Sequence, residues 1–296
     1  MNGMGRRFSL VGPGRVGSSL ALALTKRGWR CDTLVTGRSP KSAVRELQNH
    51  FPSSRIVQTS LSLGSRFDVL FLTVTDDKIE ETACELAKSA SFDWERKSVF
   101  HVSGFAKVDV LSSLEKLGAA VGAFHPISPF AVRYVPERAE GISYDFLGDV
   151  TALAMARRLA LALSSRLIVL KSERERQILH IASVIVSNFT VIGSRAAEEM
   201  LAGFVDRRDI DRLTHDLLAS TLDNLENSDG GKALTGPLAR ADEEVISNHL
   251  KSLANKHTLL QFYRSSSLLG IEMLINEERD PKRRRNLTKI KKLLEG

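Results

Sequence analysis

The pattern of hydrophobic and polar positions divides the chain near residue 172. Up to about residue 170, short apolar runs typical of β-strands alternate with segments in which apolar residues recur at helical spacing. Runs such as Val69–Leu72 are apolar without alternation, as expected for strands covered on both faces of a sheet. Repeated strand and helix signals predict an α/β domain with a doubly wound parallel Rossmann sheet. The strands predicted are 7–11, 31–36, 56–58, 68–74, 98–102, 120–124, 142–146 and 166–170, and the helices between them are 16–26, 39–49, 77–89, 107–117 and 150–163.

After Ser172 the strand signal disappears and helical patterns follow over 173–204, 208–225, 242–254 and 256–275. The first of these is apolar on most faces, which is typical of a helix buried in a domain core or against another subunit. We therefore predict an all-helical domain after the α/β domain. The predicted boundaries are 1–172 for the α/β domain, 173–280 for the helical domain, and 281–296 for a helical basic tail.

Gly12, Gly14 and Gly17 form a G-x-G-x-x-G sequence between the first strand and the first helix. In this context the glycines allow a tight turn, close approach of a pyrophosphate, and close packing of helix on strand. Arg15 and Val16 lie at the start of the helix, whose free N–H groups favour an anion. An ordinary glycine-rich turn is the alternative, but the surrounding strand and helix favour a dinucleotide site.

The second strand helps to predict which dinucleotide binds. An NAD site usually carries Asp or Glu near the end of this strand, whereas here the strand is followed by Arg38 and Ser39. A guanidinium suits the 2′-phosphate of NADP, so we predict NADP as the cofactor. Thr73 and Val74, at the end of the fourth strand, are predicted to line the same cleft.

Candidate catalytic residues come from three further segments. Ser103 ends the fifth strand, and His125 ends the sixth strand in a proline-stiffened loop, where an imidazole could donate a proton or simply cap the strand. His180, Ser183 and Asn188 are polar residues within the apolar 173–204 helix, where they contact either a ligand in the cleft or a structural network of hydrogen bonds. Thr235 and Arg240 follow in a glycine- and proline-rich loop, with Arg240 suited to an anionic substrate.

Charge and cysteine content narrow the functional classes. The net charge of +7 is concentrated in 281–296, which holds seven basic residues and Glu295 and therefore a net +6, so the preceding 280 residues carry only +1. A nucleic-acid partner is not expected, because only this tail is basic. The longest uninterrupted apolar runs fall short of the roughly 18 to 20 residues of a membrane span, so no membrane association is expected. With two cysteines and no secretory signal pattern, a cytoplasmic location is the expectation, and no metal site is predicted.

These motifs together resemble a family of Rossmann-like proteins whose C-terminal helical half is a domain of unknown function. The resemblance rests on 12–17, 101–104, 125–130, 180–188 and 233–237. The family is similar in architecture to pyrroline-5-carboxylate reductase, ketopantoate reductase and the 6-phosphogluconate and β-hydroxyacid dehydrogenases. The resemblance implies NADP-dependent reduction of a small carbonyl, imine or hydroxy compound, and a homodimer formed through the helical domain. In this interpretation His180 or His125 supplies the proton, and Asn188 and Ser103 orient the substrate.

Two positions depart from the related pattern. The β-hydroxyacid enzymes have a Lys four residues before the Asn of the interdomain helix, where this chain has Val184. The family also tends to have Gly after the Arg of the later loop, where this chain has Ala241. The missing Lys leaves an alternative, a catalytically degenerate NADP-binding protein with a regulatory or interaction role.

Overall fold

A computed structural model describes residues 6–89, 93–228 and 233–296. Within these residues the chain forms eight strands: β1 Arg7–Val11, β2 Arg30–Val35, β3 Arg55–Val57, β4 Val69–Leu72, β5 Ser98–His101, β6 Ala120–Ile127, β7 Ser143–Gly148 and β8 Arg166–Val169. The helices are α1 Arg15–Lys26, α2 Lys41–His50, α3 Asp76–Ser89, α4 Ser112–Glu115, α5 Val150–Ala162, α6 Glu173–Leu201, α7 Arg207–Asn227, α8 Gly236–Arg240, α9 Glu243–Ser252, α10 His257–Glu277 and α11 Pro281–Glu295.

All eight strands form one sheet in the order β3-β2-β1-β4-β5-β6-β7-β8. Strands β1 to β6 are parallel, as the sequence pattern predicts. A fully parallel sheet is wrong for the last two strands, because β7 runs antiparallel to β6 and β8 is parallel to β7. The chain returns from β6 to β7 without a crossover helix, which removes the geometric reason for a parallel pair. The sheet is therefore a mostly parallel Rossmann-type sheet with a reversed edge.

The central strands are buried on both faces. In β4, Val69 and Phe71 belong to one apolar cluster together with residues of α1 and α5, whereas Leu70 and Leu72 belong to a second cluster together with residues of α3 and α4. This division follows from the two-residue period of a strand, which sends successive side chains to opposite faces. The uninterrupted apolar sequence of β4 thus reflects helices on both sides of the sheet.

One segment of the first domain differs in detail from the predicted element. The predicted helix at 107–117 is a 3-10 turn over Val108–Leu111 followed by the single-turn helix α4. Its apolar residues Leu111 and Leu114 are both fully buried, at the i,i+3 spacing that suits either helix type.

The chain forms two compact units, Met1–Asn188 and Phe189–Gly296. In the second unit, α9, α10 and α11 share a core that contains Ile246, Ile271, Leu287, Ile290 and Leu294. The basic C-terminal segment is thus α11, whose apolar side is packed while most of its cations are exposed.

Helix α6 has unusual surface properties. Its 29 residues include an 18-residue window of mean hydropathy 1.4, so by length and composition it meets the requirement for a membrane span. Isolated polar residues interrupt this window, so no uninterrupted apolar run in the sequence reaches the length of a membrane span. Its apolar side chains Ile181, Ile185 and Val186 are exposed, as is Phe189.

Candidate functional site

The glycine-rich turn between β1 and α1 has the geometry of a dinucleotide loop. Gly12 has a φ of +83°, a region that favours glycine, and a Cβ there would lie 2.7 Å from Val74 Cγ1. A Cβ on Gly17 would overlap the Thr73 hydroxyl, so this glycine allows the close packing of α1 on the sheet. At Gly14 the nearest atom would be 3.9 Å away, which leaves the space outside the loop open to a phosphate.

The start of α1 suits an anion. No acidic residue lies in the first turn, and Gly14 caps the helix without a side-chain hydrogen bond, so the N–H groups of Arg15 and Val16 are not engaged by a capping side chain. The loop is held in shape by Thr73, whose hydroxyl donates to the carbonyl oxygens of Val11 at 3.1 Å and Gly12 at 2.6 Å. Thr73 and Val74 therefore shape the glycine loop from β4.

The end of β2 carries the two residues predicted to hold a 2′-phosphate. The Arg38 side chain is exposed. The Ser39 hydroxyl donates to the Thr36 carbonyl at 2.9 Å, so its proton is engaged within the turn. Asp32 is the acidic residue of this strand, and its carboxylate accepts from the Thr33 hydroxyl near the strand's start. Arg38 is thus the more suitable phosphate ligand of the pair.

A histidine and a buried carboxylate form the central pair of the second site. Nδ1 of His125 lies 2.6 Å from Oδ2 of Asp145, across the antiparallel β6–β7 pair in which these two residues face each other. A carboxylate accepts but does not donate, so Nδ1 carries the proton and donates it to Asp145. This arrangement leaves Nε2 of His125 as the nitrogen free for chemistry.

Arg176 of α6 neutralises the buried carboxylate. Its Nε lies 3.4 Å from Oδ1 of Asp145, and its Nη1 lies 3.1 Å from the Glu173 carboxylate. Arg176 and Asp145 are 1% and 3% exposed, so their charges compensate each other away from water. Arg176 also donates to the carbonyl oxygens of Ser103 and Ala106, which fixes the loop after β5.

The loop after β5 brings Ser103 and Gly104 beside the histidines. The Ser103 hydroxyl accepts from the N–H groups of Phe105 at 3.1 Å and Ala106 at 2.9 Å, so it organises the loop. Ser103 therefore has a structural role in addition to the substrate contact that the sequence predicts. A Cβ on Gly104 would overlap Nδ1 of His180 and would lie 3.0 Å from Nε2 of His125.

His180 lies against His125 at the edge of a cavity of about 560 Å³. The ring centroids are 5.9 Å apart and the rings are nearly perpendicular. Burial, and next the neighbouring His125, lowers the pKa of His180, so its imidazole is neutral at pH 7. The Nδ1 atom of His180 is buried and has no hydrogen-bond partner among the residues described.

The same cavity brings together most of the predicted substrate residues of the first unit. Its lining comes from 125–129 and from 180–188, and includes Ser183, Ser187 and Asn188 besides the two histidines. The Ser183 hydroxyl donates to the Leu179 carbonyl at 2.9 Å. Val184, which stands where β-hydroxyacid enzymes have Lys, also lines it. No Lys, Arg, Asp or Glu lies in this lining as far as the structure describes the chain.

His101 is a third histidine of this region and lies in the core. It is fully buried at the end of β5, and neither ring nitrogen has a hydrogen-bond partner of good geometry among the described residues. Burial, followed by the charge of Arg176, lowers the pKa of His101 to about 3. Its imidazole is therefore neutral and contributes no proton at physiological pH.

The predicted residues of the second unit lie around α8. Thr235 precedes the helix as its N-cap residue, and Arg240 is its last residue; both side chains are exposed. Ala241 ends the helix with a φ of +56°, in the left-handed region. Glycine is the usual residue at such a helix end, which accounts for the glycine that the resembling family tends to have there.

Sequence reasoning missed Asp145 and Arg176. Each carried a signal: Asp145 is a single acid within an apolar strand, and Arg176 lies one helical turn before His180. Pairing them with His125 needs the antiparallel register of β6 and β7, which the sequence pattern did not reveal. Among the described residues, no group of three or more His, Cys, Asp or Glu side chains could hold a metal ion.

Comparison with protein families assigns both parts of the chain. Residues 5–126 match the model of the Rossmann-like domain, and residues 145–269 match that of a domain of unknown function, DUF2520. No curated protein matches the sequence.

Solved structures share the fold at low sequence identity. A Bacteroides fragilis protein provisionally named an NADP oxidoreductase is 23% identical, with a TM-score of 0.73 over 89% of this chain and 97% of its own. A Thermotoga maritima protein is 22% identical, with a TM-score of 0.69 over 92% and 100%. A pyrroline carboxylate reductase from Plasmodium falciparum with NADP bound is 12% identical, with a TM-score of 0.57 over 97% of each chain. The chain therefore shares its fold with these three proteins.

Proposed function

We propose that this chain, which joins a Rossmann-like domain to a DUF2520 domain, is an NADP-dependent oxidoreductase of a small carbonyl, imine or hydroxy compound. The observation that carries the proposal is the contact between Asp145 and His125, in which Oδ2 and Nδ1 lie 2.6 Å apart. His125 also lines a cavity, and its Nε2 atom is left free. A histidine held by a buried carboxylate is a suitable general acid or base. The glycine loop of the same unit suits a dinucleotide.

The cofactor would be held by the glycine loop and the end of β2. Gly12, Gly14 and Gly17 give the pyrophosphate access to the N–H groups of Arg15 and Val16. Arg38 favours NADP over NAD, because its guanidinium is exposed and no acid follows β2. A bound nicotinamide supplies hydride in reduction and accepts it in oxidation.

His125 is the proton donor and acceptor in this mechanism. Asp145 fixes the tautomer and the orientation of His125, so Nε2 is the atom that donates a proton in reduction and accepts one in oxidation. Arg176 orients the Asp145 carboxylate and balances its charge within the protein. His180 is neutral and acts as a hydrogen-bonding partner for the substrate.

Asn188 and Ser183 complete the substrate contacts within the first unit. Both belong to the cavity lining, where an amide and a hydroxyl orient polar groups of a substrate among apolar side chains. Thr235 and Arg240 of the second unit are further candidates, with Arg240 suited to an anionic group of the substrate.

The cofactor assignment is tested by binding. Quenching of protein fluorescence should show NADPH binding, and Arg38→Ala should weaken it about tenfold while NADH affinity is unchanged, as for loss of one phosphate contact. Arg66→Ala is the matched control, since Arg66 is also an exposed arginine of this unit. Equal losses for both nucleotides would remove the NADP preference, and absence of NADPH binding would remove the function.

A catalytically degenerate NADP-binding regulatory protein is the second candidate. The observation that favours it is Val184, which occupies a cavity position where related dehydrogenases have Lys. Both candidates bind NADP, and they differ in turnover. NADPH oxidation across a panel of oxo compounds and imines, lost in His125→Gln and His180→Ala, supports the enzyme; cofactor binding without turnover supports the regulatory protein.

We further propose that the protein is a homodimer whose interface covers α6 and α7. Both helices have exposed large apolar side chains, including Ile185 and Val186 on α6 and Leu217 and Leu222 on α7. Exposed apolar surfaces of this kind mark interaction sites. A lipid environment is disfavoured for α6, because its first turns carry Glu173, Arg176 and His180 within the polar site. A cytoplasmic homodimer, with both cysteines unbridged, is the form we propose.

Sedimentation equilibrium tests the dimer. Leu217→Glu together with Leu222→Glu should convert the dimer into a monomer without detergent, because charges at an apolar interface oppose burial. Arg208→Glu, an exposed change at the start of the same helix, is the control. A wild-type protein that sediments as a monomer would contradict the proposal.

A further inference from the structure

We propose that the reacting group of the substrate is an oxygen, a carbonyl in reduction and a hydroxyl in oxidation, and that imines are excluded as good substrates. This inference deepens the proposed function and rests on it. It follows from the kind of charged and hydrogen-bonding groups that face the cavity, which differ from those that an iminium ion requires.

A carbonyl oxygen needs a proton donor, and the site provides one. When hydride adds to a carbonyl carbon, the oxygen becomes an alkoxide unless a proton arrives. Nδ1 of His125 is committed to Asp145, so the second proton of the imidazolium is on Nε2, which is the nitrogen left for the substrate. An iminium ion already carries its proton and gains nothing from this acid. A protonated His125 would also repel it.

An iminium ion needs an unpaired carboxylate, and the lining provides none. The cavity is lined by 125–129 and 180–188, among which no acidic residue occurs. Asp145 is the buried carboxylate nearby, but its two oxygens face Nδ1 of His125 and Nε of Arg176. Both oxygens of the Asp145 carboxylate are therefore engaged by these two side chains and are turned away from a substrate.

His180 favours an oxygen for a second reason. Its ring lies 5.9 Å from that of His125, at nearly a right angle. Burial and the neighbouring His125 lower the pKa of His180, while the carboxylates of Asp145 and Asp76 oppose this change and Arg176 adds to it. The site thus contains one imidazole that is hydrogen-bonded to a carboxylate and one neutral imidazole. A carbonyl oxygen has two lone pairs and can accept from both, whereas an iminium nitrogen has none.

The remainder of the lining indicates the rest of the substrate. Pro126, Ile127, Pro129 and Val186 provide apolar surface, and Ser183 and Asn188 provide uncharged polar groups. A ketone or secondary alcohol with a short aliphatic or alicyclic skeleton matches this surface.

The balanced step is a simple reduction. A bound NADPH would supply the hydride to the carbonyl carbon, and the C=O π pair would move to oxygen. Oxygen then bonds the proton from Nε2 of His125, which gives the alcohol and NADP⁺. His125 is left neutral and regains its proton from solvent, and in oxidation every movement is reversed.

The test compares matched six-membered rings. With NADPH, turnover of cyclohexanone should exceed that of the cyclic imine 2,3,4,5-tetrahydropyridine at least tenfold in kcat/KM. With NADP⁺, cyclohexanol should perturb the ring ¹⁵N signals of His125 and His180 at concentrations where cyclohexylammonium does not. Equal or better use of the imine, equal binding of the ammonium ion, or no response to either ring would each overturn the proposal.

Two controls separate this inference from the proposed function. Loss of NADPH binding removes the proposed function itself, whereas NADPH binding with preferred imine reduction removes only the oxygen assignment. His125→Gln should lower ketone turnover about a hundredfold or more with unchanged NADPH affinity, as for loss of a general acid. His215→Gln, at an exposed histidine of α7, should leave both unchanged.

Discussion

The two candidate sites of the first unit are built in opposite ways. The glycine loop consists of consecutive residues and offers backbone N–H groups, with no acidic side chain in the first helical turn. The imidazole site, which consists of His125, Asp145, Arg176 and His180, brings together side chains from β6, β7 and α6. Its charges are buried, because Arg176 is 1% and Asp145 3% exposed. One site is defined by the absence of side-chain volume, and the other by the placement of charge.

This difference determines how each site fails. An added methyl group in the glycine loop meets a strand or a ligand, and the cost is steric. Removal of a charge from the imidazole site leaves its partner charge unpaired in a low-dielectric interior, and the cost is electrostatic. Substitutions that change only the side-chain volume, or only the charge, therefore test whether the two sites differ in this way.

The largest expected effect is on stability, from Arg176→Met. Loss of the guanidinium leaves Asp145 buried without its cation, so we expect the free energy of unfolding to fall by about 3 to 5 kcal/mol. Urea unfolding followed by circular dichroism measures the change. Arg212→Met is the control, because both members of its pair with Asp216 are exposed and the pair should be worth less than about 1 kcal/mol. If Arg176→Met lowered the free energy of unfolding by less than about 1 kcal/mol, the buried charges would not be what stabilises this site.

The second prediction concerns acid stability and His101. The folded protein holds the pKa of His101 at about 3, below the ordinary value of 6.5, so below pH 6.5 the unfolded chain binds the proton first. Stability therefore falls as the pH decreases from 6.5 towards 3. At pH 4.5 this group costs about 3 kcal/mol relative to pH 7, at about 1.4 kcal/mol per unit.

His101→Gln removes the titrating group and tests that pH dependence. The difference between the unfolding free energies at pH 7 and pH 4.5 should be about 3 kcal/mol smaller in this variant than in the wild type. His215→Gln should keep the wild-type difference, since His215 is exposed. An unchanged pH dependence in His101→Gln would mean that His101 does not remain neutral in the fold.

The smallest effects come from two alanines in the glycine loop. Gly17→Ala places a methyl group on the Thr73 hydroxyl, so it should lower stability by about 1 to 3 kcal/mol. Gly14→Ala meets no protein atom closer than 3.9 Å and has an ordinary φ of −75°, so its stability should change by less than about 0.5 kcal/mol.

For NADPH affinity the order of the two substitutions should be reversed, with the larger loss in Gly14→Ala. Gly14→Ala blocks the approach of the pyrophosphate, and NADPH affinity should fall tenfold or more without loss of stability. Fluorescence quenching measures this affinity beside the unfolding curves. Should Gly14→Ala bind NADPH like the wild type, the open side of the loop does not face the phosphates.

Local patterns of sequence were sufficient for much of the fold. The apolar run of β4 and the glycines at 12–17 identify a buried strand and a dinucleotide loop, because neighbouring residues carry the whole signal. The reversed edge was not predicted, since the direction of β7 depends on the path of a long connection and not on its own residues.

The arrangement of the imidazole site could not be predicted from the sequence. His125 and His180 were recognised as polar residues at strand and helix positions, but their proximity depends on how β6 and α6 are packed. Asp145 lies 20 residues from His125, and only the antiparallel register places them opposite each other. Ser103 was assigned to substrate, whereas its hydroxyl holds the N–H groups of its own loop.

The most direct test of the central claim is the tautomer of His125. Long-range ¹H–¹⁵N spectra of the histidine rings, with the His125 signals identified from their loss in His125→Gln, report which nitrogen carries the proton. We predict a proton on Nδ1 at neutral pH, bonded to Asp145, and a change of tautomer population in Asp145→Asn. A wild-type His125 that is protonated on Nε2 alone would contradict the Asp145–His125 pair as the proton-handling unit of this protein.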